Sequence, residues 1–260
     1  MKKIVTDLRA EQDSLDDIVS RINRNAWNTA TPAEGWDVRD QIGHLTFFDE
    51  RAAEAIVDPN AFRSGIEAAS ADIEGYLASH LDVARRSEPV EVMSQWRQGR
   101  SAVLGALAPL DPSARLAWYG PPMSVRSFAT ARLMETWAHG QDIVDGLSVD
   151  RSPTDRLRHI AFLGVRTMGW SFTINGLDTP TEAVRVSLTA PSGNRWLWNE
   201  ESTENVVSGD AEDFCLVVTQ RRHVSDTGLE CTGLVAEQWM SIAQAFAGPP
   251  GRGRRAGMFI

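Results

Sequence analysis

Residues Ser124 to Gly146 read SVRSFATARLMETWAHGQDIVDG, and the reading of this run decides the rest of the chain. Glu135, His139 and Asp142 fall at i, i+4 and i+7, a spacing that a helix gathers onto one narrow face. Met134 and Ala138 border that face on one side, Ala129 and Ile143 on the other. Three ionisable groups inside an apolar stripe are costly to bury unless something satisfies them, and a divalent metal ion does. One more histidine from another helix would complete two histidines and a carboxylate, a donor set of catalytic zinc sites that leaves a position open for water or substrate. His44 is the candidate.

Working outward, Leu8, Leu15, Ile18, Val19 and Ile22 recur at helical spacing and predict a first helix over about Val5–Asn25. After the turn-rich NTATPAEG, Asp37 is a suitable N-cap for a second helix, whose stripe is Val38, Leu45, Ala52 and Ile56. His44 lies at the edge of that stripe, close to Phe48. A looser stretch from Asp58 to Ser87 holds a helix around Ala71–Arg86. Another helix runs from Glu88 to Leu107, with Val92, Trp96, Val103, Leu104 and Leu107 facing the core and Pro109 and Pro112 stopping it. With the helix of Ser124–Gly146, four major amphipathic helices precede residue 147, the one around Ala71–Arg86 aside, and a bundle is their natural packing.

The composition shifts at SVDRSPTD, residues 148–155. Beyond it come an apolar helix near Asp155–Phe172, an alternating strand in AVRVSLTAP, a turn at Pro191–Asn194 and a second strand in RWLWNEE. AEDFCLVVTQRR begins as a helix, LECTG is a short strand, and Leu234–Phe246 closes with a helix. The expected fold class is therefore α+β, with a helical bundle over residues 1–150 and an α+β domain over 151–260. The last stretch, from about 248, reads as a flexible tail.

The formal net charge of −9 argues against nucleic acid or an anionic membrane as partner, since both call for basic surface. No run approaches 18 consecutive apolar residues, and the N-terminus lacks the apolar core of a secretory signal, so a cytoplasmic location is expected. Cys215 and Cys231 have no C-x-x-C partner and read as reduced thiols. His80, His159 and His223 lack ligand types at suitable spacing and read as structural or surface residues.

Two motifs resemble a known family. Trp36-Asp37-Val38-Arg39-Asp40 followed by Gly43-His44-Leu45 is similar to the second-helix motif of the mycothiol-dependent maleylpyruvate isomerase family, within the DinB-like group of metal-binding four-helix bundles. Met134 to Asp142 resembles that family's fourth-helix motif, E-x-x-x-H-G-x-D. The resemblance implies His44, Glu135 and His139 as ligands of a divalent metal, usually zinc, with mycothiol as co-substrate. Asp142 then supports a ligand from behind or serves as a base. The run from Ser208 to Arg222 is similar to the family's smaller C-terminal domain, where an arginine contacts substrate. Arg221 or Arg222 takes that part here, and Gln220 stands where glycine is common.

Three functions follow as expectations. The first is a metal-dependent enzyme that aims a low-molecular-weight thiol at a small electrophilic substrate, with isomerisation or S-transfer as the outcome. The second is a hydrolase using metal-activated water, for which Asp142 is the candidate base. The third is a non-enzymatic, metal-stabilised ligand-binding module. Two histidines and a carboxylate also suit nickel, cobalt or iron.

Overall fold

The computed structural model describes residues 1–120 and 122–259, and the chain divides into two compact units, Met1–Asp150 and Arg151–Ile260. It is an α+β protein. Among the described residues no helix is long and apolar enough to cross a membrane.

The first unit is built on four long helices: α1 (Lys2–Val19), α2 (Val38–Val57), α5 (Pro89–Leu107) and α6 (Val125–Leu147). The stretch between α2 and α5 contains two helices, α3 (Pro59–Ala69) and α4 (Ile73–Arg86), where the sequence suggested one. Pro59 at the first turn of α3, with the Asp58 side chain accepting from Ala61 N, marks the start of the helix that was not expected. The first helix ends earlier than expected, and Arg24–Asn28 forms a separate 3₁₀ turn that buries Trp27. The turn before α6 contains a short antiparallel pair, β1 (Arg115–Leu116) and β2 (Met123–Ser124).

Helix α2 starts with a full capping box: Asp37 accepts from Asp40 N, and the Asp40 carboxylate accepts from Asp37 N. The core between these helices includes Leu15 and Val19 of α1, Ile42 and Leu45 of α2, Val92 and Trp96 of α5, and Ile143 of α6. Helix α6 is buried on nearly all sides through its middle, which is why its polar residues must find partners inside the protein. One such partner is Asp49 of α2, fully buried, which accepts from Arg132 Nε at 3.0 Å and Nη2 at 2.9 Å. Burial pushes the Asp49 carboxyl up, while Arg132 and the Trp96 indole draw it back, so α2, α5 and α6 meet at one charged group.

At the other side of α5, Asp16 of α1 receives Arg97 through Nε at 2.8 Å and Nη2 at 2.5 Å, and Arg100 through Nη2 at 2.6 Å. The paired bonds from Arg97 are the main reason the Asp16 carboxyl is held below its usual value, assisted by the charge of Arg100 and opposed by burial.

The second unit sets helices around a four-stranded sheet of order β4-β3-β5-β6. Its strands are β3 (Arg185–Thr189), β4 (Arg195–Trp198), β5 (Val206–Asp210) and β6 (Glu230–Thr232). The outer pairs are antiparallel, and β3 and β5 are parallel in the register Val186–Val207. Strand β5 was not anticipated as a strand. It is short, carries Gly209 at φ 145°, and its alternation is broken by Ser208 and Gly209. The helix expected near Asp155–Phe172 is two, α7 (Leu157–Arg166) and α8 (Met168–Ile174), separated at Thr167. The unit is completed by α9 (Ala211–Val218) and α10 (Leu234–Ile242). A Cβ at Gly164 would stand 2.9 Å from Val218 and 3.0 Å from Phe214, so this glycine lets α7 lie closely on α9.

Hydrogen bonds join the stretch from about 248 to the preceding chain. Gly251 N donates to Gln244 Oε1 at 2.9 Å, and Gln244 Nε2 donates to the Phe246 and Pro249 carbonyls. Asp226 accepts from the backbone N–H groups of Gly257, Met258 and Phe259, and these bonds lower its carboxyl pKa. The sequence could not signal this, because the stabilising partner lies about 30 residues upstream in a polar loop.

The Asp16 clamp predicts a pH signature. A carboxyl whose folded pKa is depressed contributes stability above its unfolded value, 3.8, and loses that contribution as pH falls through the lower folded value. Asp16→Asn should destabilise the protein at pH 7 by roughly 1–3 kcal/mol in urea unfolding, and the gap to the unaltered protein should narrow below about pH 4.

Candidate metal centre

The sequence elements that position the site are α2, α6 and the loop before α2. His44 lies on the second turn of α2, seven residues beyond the Asp37 cap, and Glu135 and His139 lie one turn apart in the middle of α6. Packing of α2 against α6 brings the three together: one ligand atom from each falls within 4.8 Å of the other two. His44 and His139 have ring centroids 4.3 Å apart, and Trp36 lies over both, at 5.2 Å and 6.0 Å.

A hydrogen-bond chain fixes how His139 presents itself. The Thr31 hydroxyl donates to the Trp36 carbonyl at 2.9 Å, so toward Gln41 its oxygen accepts, receiving Gln41 Nε2 at 2.9 Å. That turns Gln41 Oε1 toward His139 Nδ1, 2.6 Å away. An amide oxygen only accepts, so the network assigns the proton to Nδ1. The lone pair of Nε2 then faces Glu135 Oε2 at 3.2 Å. Two electron-rich atoms at that separation call for a proton shared between them or a metal ion beside them. The donor set of two imidazoles and one carboxylate is of the right chemistry for a divalent transition metal, and zinc is the common occupant of such a set.

The second-helix glycine has a packing reason. A Cβ at Gly43 would stand 2.4 Å from the Ala84 Cβ of α4, so α4 can approach α2 at this point only because residue 43 lacks a side chain. One turn earlier on α4, His80 is buried and its Nε2 lies 3.3 Å from His44 Nδ1. His80, read from the sequence as structural or surface, is thus a buried residue packed against His44, and it stands outside the three residues whose ligand atoms converge. Its sequence neighbours offer no ligand type, and only the α2–α4 packing reveals the contact.

Asp142 is fully buried one turn beyond His139 on the same helix. Its carboxylate is outside the group of ligand atoms that converge within 4.8 Å.

Arg221 and Arg222 belong to the second unit, in the turn that ends α9. Arg221 N donates to the Leu216 carbonyl at 2.7 Å and Gln220 N to Val217 at 2.9 Å, the paired bonds of a Schellman ending. Gln220 occupies the left-handed position, φ 60°, where glycine is usual, and its side chain is held by the Ala243 carbonyl and Gln244 Oε1. Arg221 Nη1 donates to the Thr219 carbonyl at 2.7 Å. The Arg222 guanidinium lies 3.7 Å from the centre of the Phe259 ring, under the segment that Asp226 pins. Burial raises the Glu212 carboxyl nearby, and the charges of Arg151 and, more weakly, Arg222 oppose it.

Facing helices of a bundle thus converge two histidines and a glutamate that could hold a metal ion, and an α+β unit follows in the chain. The chain belongs to the mycothiol maleylpyruvate isomerase family: residues 8–144 match the family described as the mycothiol maleylpyruvate isomerase N-terminal domain. Two uncharacterized proteins of Mycobacterium tuberculosis, MT0041 and Rv0036c, are each 46% identical over 250 residues, covering 96% of this chain and 97% of theirs. Two crystal structures of the mycothiol-dependent maleylpyruvate isomerase, one of them a histidine-to-alanine mutant, superpose with TM-scores of 0.56 and 0.58. They are 14–15% identical, with 88% of this chain and 92% of theirs covered, and what they share with it is the fold.

The anchoring of the C-terminal segment is directly testable. Asp226→Ala should make cleavage by trypsin after Arg252, Arg254 and Arg255 several-fold faster, read by mass spectrometry over a time course, while α9 and the sheet remain protected.

Proposed function

We propose that this protein is a divalent-metal enzyme, zinc-dependent by its donor set, that uses mycothiol or a similar low-molecular-weight thiol on a small electrophilic substrate. The observation that carries the proposal is the convergence of His44, Glu135 and His139, with His139 Nε2 3.2 Å from Glu135 Oε2. The names of the family and of the crystal structures that share the fold supply the thiol and the isomerase reaction.

A divalent ion held there would stabilise a bound thiol as its thiolate and so provide a nucleophile at neutral pH. The chain's own residues do the rest. His44 and His139 offer neutral nitrogen donors, and Glu135 offers the single negative charge that offsets part of the ion's charge. Gln41 holds the His139 proton on Nδ1, which keeps Nε2 available at every encounter. Trp36 screens one side of both rings from water, so electrostatic attraction within the pocket is less damped than at an open surface.

Asp142, outside the ligand group and fully buried, stabilises the ligand-bearing face of α6 from behind rather than acting on substrate. Isomerisation and S-transfer both begin with sulfur adding to an activated carbon. They differ in whether the thiol is eliminated again or retained.

The test uses purified protein stripped with a chelator and reloaded with zinc, into which mycothiol is titrated by calorimetry. Thiol binding should require zinc and follow one-to-one stoichiometry. His44→Ala should lose zinc affinity by more than the roughly 10–100-fold that removal of a ligand's hydrogen-bond partner costs, and should lose the thiol response with it. A His44→Ala protein that keeps stoichiometric zinc and binds mycothiol would refute the proposal.

A further inference from the structure

We infer that His80 is a positioning residue for the metal centre, delivered by α4 to orient the imidazole of His44; this rests on the metal reading above. Four contacts in register dock α4 along α2. Asp40 accepts from Arg85 Nε at 2.8 Å and from Nη2 at 2.9 Å. Gly43 makes room for Ala84. His44 Nδ1 meets His80 Nε2 at 3.3 Å. Phe47 stacks on the His80 ring, with centroids 4.9 Å apart and planes 18° from parallel, and meets Tyr76 edge-on at 5.7 Å. The ion pair at one end and the aromatic stack at the other set the position of the α4 face, so the place of His80 is over-determined by its neighbours.

The chemistry of the contact gives it a role. One of the two facing nitrogens must carry the shared proton. When His44 donates from Nδ1, its Nε2 is left bare and becomes the ligand atom. His80 Nε2 as the acceptor draws that proton and makes the opposite nitrogen a stronger donor. His139 has the equivalent arrangement with Gln41. The two histidine ligands are thus each held at the nitrogen that does not face the ion, one by an amide on α2 and the other by an imidazole on α4. A purely structural His80 would be replaceable by any group that fills its volume, whereas a positioning His80 is replaceable only by a group that accepts a hydrogen bond at the same point.

The experiment measures zinc affinity by competition with a chromophoric chelator for the unaltered protein, His80→Ala, His80→Gln and Gly43→Ala. Each is accompanied by the melting temperature of the zinc-free protein and the visible absorption of its Co2+-loaded form. His80→Ala should weaken zinc binding about 10–100-fold and alter the Co2+ spectrum. His80→Gln, whose amide oxygen reaches about where Nε2 sits, should recover most of the loss. Gly43→Ala, which pushes α4 outward, should reproduce part of it with every ligand intact. Equal zinc affinity in His80→Ala and the unaltered protein would overturn the inference and leave the metal reading standing. A loss in His80→Gln as large as in His80→Ala would also overturn it, since an accepting group would then be irrelevant. An unaltered protein that binds no zinc would remove both.

Discussion

With the Thr31 hydroxyl donating to the Trp36 carbonyl, the Gln41 side chain satisfies Thr31 and His139 in one orientation, and much of the site depends on that choice. With its N–H on the Thr31 hydroxyl, its carbonyl oxygen faces His139 Nδ1 and fixes the proton there. The opposite nitrogen is then committed to present a lone pair toward Glu135. A helix that places a carboxylate one turn before a histidine can form a simple charged pair with it. In the neutral ring, a histidine already donating from the far side turns its other nitrogen toward that carboxylate as an acceptor, the arrangement on which the proposed metal site rests. The Trp36 carbonyl, which orients Thr31, belongs to the same residue whose indole covers the two imidazoles, so one loop both sets the proton and shelters the ligands.

That arrangement needs helices that do not shift. Helix α6 carries two of the ligands and is buried on most sides, with Arg132 bonded to Asp49 of α2 a turn before Glu135. That buried pair ties α6 to α2 close to the two residues. Helix α4, with His80 and Ala84 buried among its described residues, is held by discrete contacts to α2. The bundle therefore combines a tightly packed pair of ligand helices with a docked helix that reaches one of the ligands.

Much of this was legible in the sequence because it is local. The i, i+4 spacing of Glu135 and His139, the Asp37 cap and the apolar stripe bearing His44 are written at helical period, and the structure unites the three residues they point to. What escaped was information carried across the fold. His80 has no informative neighbour in sequence, and its contact exists because Gly43 admits Ala84. Gln41 is an ordinary polar residue until Thr31 orients it. Strand β5 was hidden by its glycine, and the hydrogen bonds to the C-terminal stretch were hidden because Asp226, which binds three of its backbone N–H groups, lies in a distant loop. Gln220 departs from the glycine expected at its position yet adopts the left-handed backbone, because its side chain is anchored on Ala243 and Gln244. Position-specific strain of this kind becomes readable only when the partner is known.

The most direct test of the account is zinc-edge X-ray absorption on the zinc-loaded protein, before and after addition of mycothiol. The geometry predicts only nitrogen and oxygen scatterers in the free protein, including two imidazoles, and the appearance of one sulfur at about 2.3 Å once the thiol is present. A sulfur shell in the free protein, or none after saturating mycothiol, would contradict it.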